Sequence, residues 1–296
     1  MTRVLVTGAT GYVGGHLTPA LLQRGFDVRC LVRDPRRAAL PAGVEVVQGD
    51  VLAPATLAPA LDGIDVAYYL VHSMGGGGDG GFAERDRAGA DAFAQAARAA
   101  GVGRIAYLGG LGGGESEHLR SREEVAQILA RAVPGTVHAR AAMVIGAGSA
   151  SFLILRHLVD RLPAMVCPRW IDTRTQPIAI RDVVGALAAL ADPSTDVTGD
   201  VQLGGADVLS YRDMMRRYAV VAGRRAPLVV RVPVLTPRLS SYWLALVTPV
   251  DFGVARPLVQ GLSTEMIVDV PPPLGINDAP MGFDEAVREA LAEDAG

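Results

Sequence analysis

Gly8, Gly11 and Gly14 stand three apart, directly after the apolar run Val4-Leu5-Val6. That spacing suits a strand turning sharply into a helix whose free first-turn N–H groups face a phosphate. Glycine serves at such a corner because backbone must approach a pyrophosphate and the helix must pack tightly on the sheet. Thr10, Tyr12 and Val13 lie between and beside the glycines and are expected to line the same dinucleotide site. A second apolar run, residues 27–32, ends in Arg33, where a site for the unphosphorylated dinucleotide usually carries a carboxylate. A guanidinium there, with Arg36 and Arg37 nearby, can clamp a 2′-phosphate, so NADP(H) is expected in preference to NAD(H). After the third run, Gly49-Asp50-Val51 offers a carboxylate to the adenine amino group, with turn capping as the other role open to Asp50.

Proton chemistry has fewer candidates. All 28 basic side chains are arginine, which excludes any mechanism that needs a lysine. His72 and Ser73 follow the fourth apolar run, where the chain is expected to pass the nicotinamide, and form one proton-handling pair; His72 bonding backbone at a strand end is the alternative. Arg140 closes the sixth run and leads into residues 141–146, expected to line the pocket beside the nicotinamide. Met74, Met143, Phe152 and Trp170 are the candidate walls of a mostly apolar substrate cavity. His16, His138 and His157 are read as structural, and no His/Cys/Asp/Glu cluster has metal-ligand spacing.

With these residues in view, the chain resembles the atypical short-chain dehydrogenase/reductases, in particular their NmrA-like and complex-I-subunit-like NAD(P)-binding branch. The resemblance spans roughly residues 1–225 and rests on the glycine corner, Gly49-Asp50, Tyr69-Leu70-Val71-His72-Ser73-Met74, Tyr107-Leu108-Gly109-Gly110-Leu111, Arg120-Ser121-Arg122 and Gln176-Pro177-Ile178-x-Ile180-x-Asp182-Val183. It implies a Rossmann fold that binds NAD(P), with Leu70, Val71 and His72 against the cofactor. It implies reductase activity in many members, and sensing or assembly without turnover in some. Most of the superfamily uses a Tyr-x-x-x-Lys pair; aligned through Ser121-Arg122, the pair here reads His118-x-x-x-Arg122, four residues apart on one helix face. Arg122 is then expected to hold the ribose and release no proton, while His118 joins His72 and water as a proton source. The superfamily's serine is replaced by Gly109 or Gly110. These residues point to an NADPH-dependent oxidoreductase acting on a small apolar carbonyl, quinone or enone. A non-catalytic NADP(H)-binding sensor or assembly protein, and a sugar-nucleotide epimerase, are the alternatives.

The elements that must position these groups follow from periodicity. Strands are expected at 3–7, 27–32, 44–48, 66–71, 104–108 and 136–140, with helices near 12–24, 54–61, 82–100 and 116–132. Alternation of this kind gives an α/β, Rossmann-type doubly wound parallel sheet in the order 3-2-1-4-5-6, with ligands at the carboxyl ends of the strands. Residues 1–145 are expected to form the nucleotide-binding domain, and 146–296 a smaller substrate or lid region packed on it rather than an independent domain. Gly75–Gly81 reads as a loop, and the Pro-interrupted apolar stretch 226–273 as a lid or a dimer contact. Half of the residues are hydrophobic and net charge is −3, which supports a large core and argues against nucleic acid as a partner. With no apolar run long enough to span a bilayer, no room for a signal peptide and two cysteines without redox spacing, a cytoplasmic monomer or homodimer with a small-molecule substrate is expected. Peripheral membrane contact stays open.

Overall fold

Short parallel strands bury both faces and need helices on each side. The computed structural model, which describes residues 1–72, 81–112, 117–192, 194–231 and 262–295, has that architecture. Its central strands are β1 (Arg3–Thr7), β2 (Asp27–Val32), β3 (Glu45–Gln48), β4 (Val66–Tyr69), β5 (Arg104–Gly110), β6 (Val137–Ala141) and β7 (Gly199–Leu203). They lie in the order β7-β6-β5-β4-β1-β2-β3, and every pairing is parallel. The expected 3-2-1-4-5-6 order is therefore present, with a seventh strand added beside the sixth. The chain thus returns to the nucleotide-binding sheet well after residue 145.

Helices α1 (Tyr12–Gln23), α2 (Leu57–Leu61), α3 (Phe82–Ala99), α4 (Glu117–Ala132), α5 (Ala150–Arg161), α6 (Ile180–Ala189), α7 (Tyr211–Val221) and α8 (Phe283–Ala295) complete the regular structure used below. Strand alternation divides the sheet's side chains between two cores. Val4, Val6 and Tyr68 face α1 and α6, meeting Leu17, Leu21, Val183 and Leu187, and the Tyr68 hydroxyl donates to the Leu187 carbonyl (2.8 Å). Leu5, Tyr69 and Tyr107 face α3 and α4, meeting Phe93, Val125 and Leu129. Each such fully buried side chain contributes about 1.5–3 kcal/mol to folding.

A third core ties the later part of the chain together. Phe152 and Leu155 of α5, Met214 and Tyr218 of α7 and Val287 of α8 pack around Ile171. Phe152 is completely buried and meets Tyr218 edge-on, with ring centroids 5.9 Å apart. Among the described residues, no helix is long and apolar enough to cross a membrane. Both cysteines are buried and unpaired.

Candidate active site

The carboxyl ends of β1, β2 and β4 open a cleft of about 520 Å³. Its walls include Gly8, Thr10, Gly11, Arg33, Asp50, Val51, Leu70, Val71 and His72. Gly8 has φ +69°, and a Cβ there would lie 2.7 Å from the Leu70 carbonyl oxygen. Gly11 begins α1 with no side-chain cap, so the helix's first amides remain available to an anion. The Thr7 hydroxyl donates to the Tyr68 carbonyl (2.9 Å) and accepts from the Leu70 amide (3.2 Å), fastening the ends of β1 and β4 at the cleft floor. Asp50 accepts from the Leu52 amide (2.9 Å), so it both caps a turn and borders the cleft. A bare helix start, a glycine corner with no room for side chains and a basic group beyond β2 together fit a dinucleotide.

Tyr12 and Val13 are placed differently. They line a second, mostly apolar cavity of about 420 Å³, along with Leu111, Leu119, Met143, Leu155, Trp170, Tyr211, Met215 and Met266. Burial, with Glu293 second, pushes the Tyr12 phenol up to about 12, so it holds its proton. Phe152 does not face this cavity: its ring belongs to the core between α5 and α7, one turn from Leu155, which does line it. Ser73 and Met74 lie outside the described residues, as does most of the Gly75–Gly81 loop. So do residues 232–261 of the apolar stretch. His118 is on the first turn of α4, one turn ahead of Arg122, with its side chain outside the described residues.

The two spaces meet at a polar chain. His72 borders the nucleotide cleft, Arg122 borders the apolar cavity, and Arg122 Nε donates to His72 Nε2 (3.2 Å). Arg122 Nη1 donates to the Leu108 carbonyl (3.3 Å). On its other side, His72 Nδ1 lies 3.2 Å from Asp86 Oδ2, and Asp86 is only 5% exposed. A guanidinium N–H always donates, so Nε2 must accept and the imidazole proton sits on Nδ1, the nitrogen nearer the Asp86 charge. Burial first and the Arg122 charge second push the His72 pKa down to about 4, against the pull of Asp86. His72 is therefore neutral near pH 7, with its one lone pair already used.

The glycines that end β5 have a steric origin. A Cβ on Gly109 would fall 2.0 Å from His138 Nε2, and one on Gly110 would fall 2.8 Å from Leu119. The His138 ring, stacked on Tyr107 at 5.2 Å and contacting Asp200 through Nδ1 (3.0 Å), fills the space a serine at 109 would need. Arg140 meets the same Asp200 and donates to the Gly112 carbonyl, which steadies the loop after β5 rather than the cavity. His16 and His157 each bond a backbone carbonyl of their own helix. Sequence reasoning missed Asp86, Arg85 and the cavity residues Tyr211, Met215 and Met266.

A Rossmann sheet, a glycine corner at its first crossover and an apolar cavity beside that corner define a dinucleotide-binding protein of the oxidoreductase type. A family profile described as NAD(P)H-binding matches residues 8–158. The chain belongs to this NAD(P)H-binding family and has the atypical short-chain dehydrogenase/reductase, NmrA-like fold. Among its relatives is a ceramide reductase of Caulobacter vibrioides, 33% identical over 266 residues, which cover 86% of this chain and 82% of that one. The fold matches that of the Citrobacter sp. triphenylmethane reductase complexed with NADP(H), at TM-score 0.76 and 21% identity over 97% of this chain and 100% of that one. It also matches an NADPH-dependent quinone oxidoreductase of Escherichia coli complexed with NADPH, at TM-score 0.70 and 19% identity over 97% and 99% of the two chains.

Proposed function

We propose that the protein is an NADPH-dependent reductase of a carbonyl, quinone or enone carried on an apolar molecule. The observation that carries this reading is the Arg122–His72 bond, which joins the nucleotide cleft to the apolar cavity. The Gly8–Gly14 corner would hold the pyrophosphate, Asp50 the adenine and Arg33 the 2′-phosphate. When bound, the cofactor supplies the hydride. Arg122 stabilises negative charge growing on the substrate oxygen, and a proton from His118 or water neutralises the oxyanion or enolate that hydride addition leaves. His72 is unsuited to be that acid, because its pKa of about 4 leaves it unprotonated near pH 7. The apolar walls favour an aliphatic or ring substrate over a polar one, in keeping with the ceramide reductase relative.

NADPH oxidation followed against long-chain ketones, quinones and enones tests the activity; failure to turn over any of them counts against it. Cofactor choice has its own test. Arg33→Ala should weaken NADPH binding about tenfold to a hundredfold by calorimetry, the worth of one or two charge-assisted bonds, while leaving NADH affinity nearly unchanged. Equal wild-type affinities for the two cofactors would refute the preference.

A further inference from the structure

Asp86 is a buried carboxylate on α3. Its Oδ2 meets an imidazole at 3.2 Å, and that imidazole accepts from Arg122. Arg122 makes no salt bridge among the described residues; it donates to a neutral ring nitrogen and to the Leu108 carbonyl. A carboxylate placed directly on the guanidinium would hold it in place but cancel much of its charge. An imidazole between the two orients the guanidinium without that cancellation.

We propose that Asp86 is a positioning residue that locks the Nδ1–H tautomer of His72, so that His72 Nε2 fixes Arg122 at the head of the apolar cavity with its charge available to the substrate. The three residues come from three different elements: Asp86 from α3, His72 from the segment after β4 and Arg122 from α4. The chain of contacts therefore ties the packing of α3 against α4 to the place where cleft and cavity meet. Nη1 is held by the Leu108 carbonyl at the end of β5, and Nη2 has no acceptor among the described residues. That nitrogen is the donor left for a substrate oxygen. The functional part of this inference rests on the reductase reading above; the tautomer does not.

Nitrogen-15 NMR of the histidine-labelled full chain reads the tautomer with no substrate. Wild type should show His72 protonated on Nδ1, and the Arg122 Nε–H should exchange slowly with water. In Asp86→Asn, the carboxamide N–H faces Nδ1 and drives the proton to Nε2, where it confronts the Arg122 Nε–H. The expected result is a reversed tautomer, loss of Arg122 exchange protection and a kcat lower by about tenfold or more. In an Arg122→Met background the same Asp86 change should cost nothing further, which a general loss of packing would not reproduce. A wild-type proton on Nε2, or an Asp86→Asn protein with unchanged tautomer and Arg122 protection, overturns the proposal. Should Asp86→Asn fail to fold, the wild-type spectrum still decides. If wild type reduces no carbonyl, the reductase reading falls while the NMR result continues to judge the positioning role.

Discussion

Gly14→Val should abolish measurable NADPH binding, and Gly15→Ala, one residue along the same helix, should not. A Cβ on Gly14 would lie 2.2 Å from the Gly8 carbonyl oxygen and 2.8 Å from Ala9 Cα, both backbone atoms with no side chain to swing aside. Helix α1 would have to lift from the corner, carrying its uncapped first-turn amides away from the phosphates they are placed to meet. Overpacking of this kind costs about 1–3 kcal/mol in stability, and the displaced amides should weaken the nucleotide at least a hundredfold, or about 2.7 kcal/mol. At Gly15 the nearest atom to a Cβ is 3.9 Å away, so alanine fits and gains up to about 1 kcal/mol in helix propensity. Calorimetry with NADPH and thermal melts of the two variants give the comparison. A Gly14→Val protein binding NADPH as wild type does would remove the corner from the site.

The corner was legible because glycine leaves a mark in sequence wherever backbone must approach backbone. The apolar runs were legible for a related reason: β1, β2 and β4 are covered on both faces, and apart from Arg29 their charged residues, Arg3 and Asp27, stand at strand starts and leave the runs unbroken. Partnership was harder to read. The segment Gly199–Leu203 buries Val201 and Leu203 and leaves Gly199 and Asp200 exposed, a pattern equally suited to a strand of a separate small sheet. Its place beside β6 depends on residue-to-residue pairing across more than sixty positions, such as Asp200 with His138, which no local pattern encodes.

In the site, residues marked by composition or spacing were found, and residues marked only by burial were not. Arg122 follows from the family resemblance, aligned through Ser121-Arg122 in the helix after β5. Asp86 sits in Ala83-Glu84-Arg85-Asp86-Arg87, where alternating charges look like a solvated face. Its neighbour Arg87 does pair with Glu124 in solvent, while Asp86 is sealed against His72. Phe152 and Leu155 differ in the same way. Both are apolar and one turn apart, yet one fills a core and the other lines the cavity, a distinction set by which way α5 is rotated against α7. Gly109 was visible as a missing serine, but its cause, the His138 ring lying under it, is a contact across strands.

Arg122→Met should lower kcat by about 10²–10³, because methionine keeps the apolar bulk and removes only the donor and the charge. The guanidinium stands where the cavity begins, and charge placed against a developing oxyanion in an apolar surround acts with little screening. Arg122→Lys should recover part of the rate, since a point charge remains while the fork that holds His72 Nε2 and the Leu108 carbonyl together is lost. The imidazole reports the same change independently. Its pKa of about 4 is held down by burial first and by the Arg122 charge second, so removing that charge must move it upward. Wild type should accordingly show no His72 limb near pH 6.5 in its rate profile. Because the unfolded chain binds a proton there before the native one does, His72 should instead cost stability as pH falls from about 6.5 toward 4. In Arg122→Met that window should narrow from its lower end, as read by the His72 titration in NMR and by melting temperature against pH. A variant with kcat within about threefold of wild type and an unmoved His72 titration would mean that the charge at this junction serves neither the reaction nor the histidine.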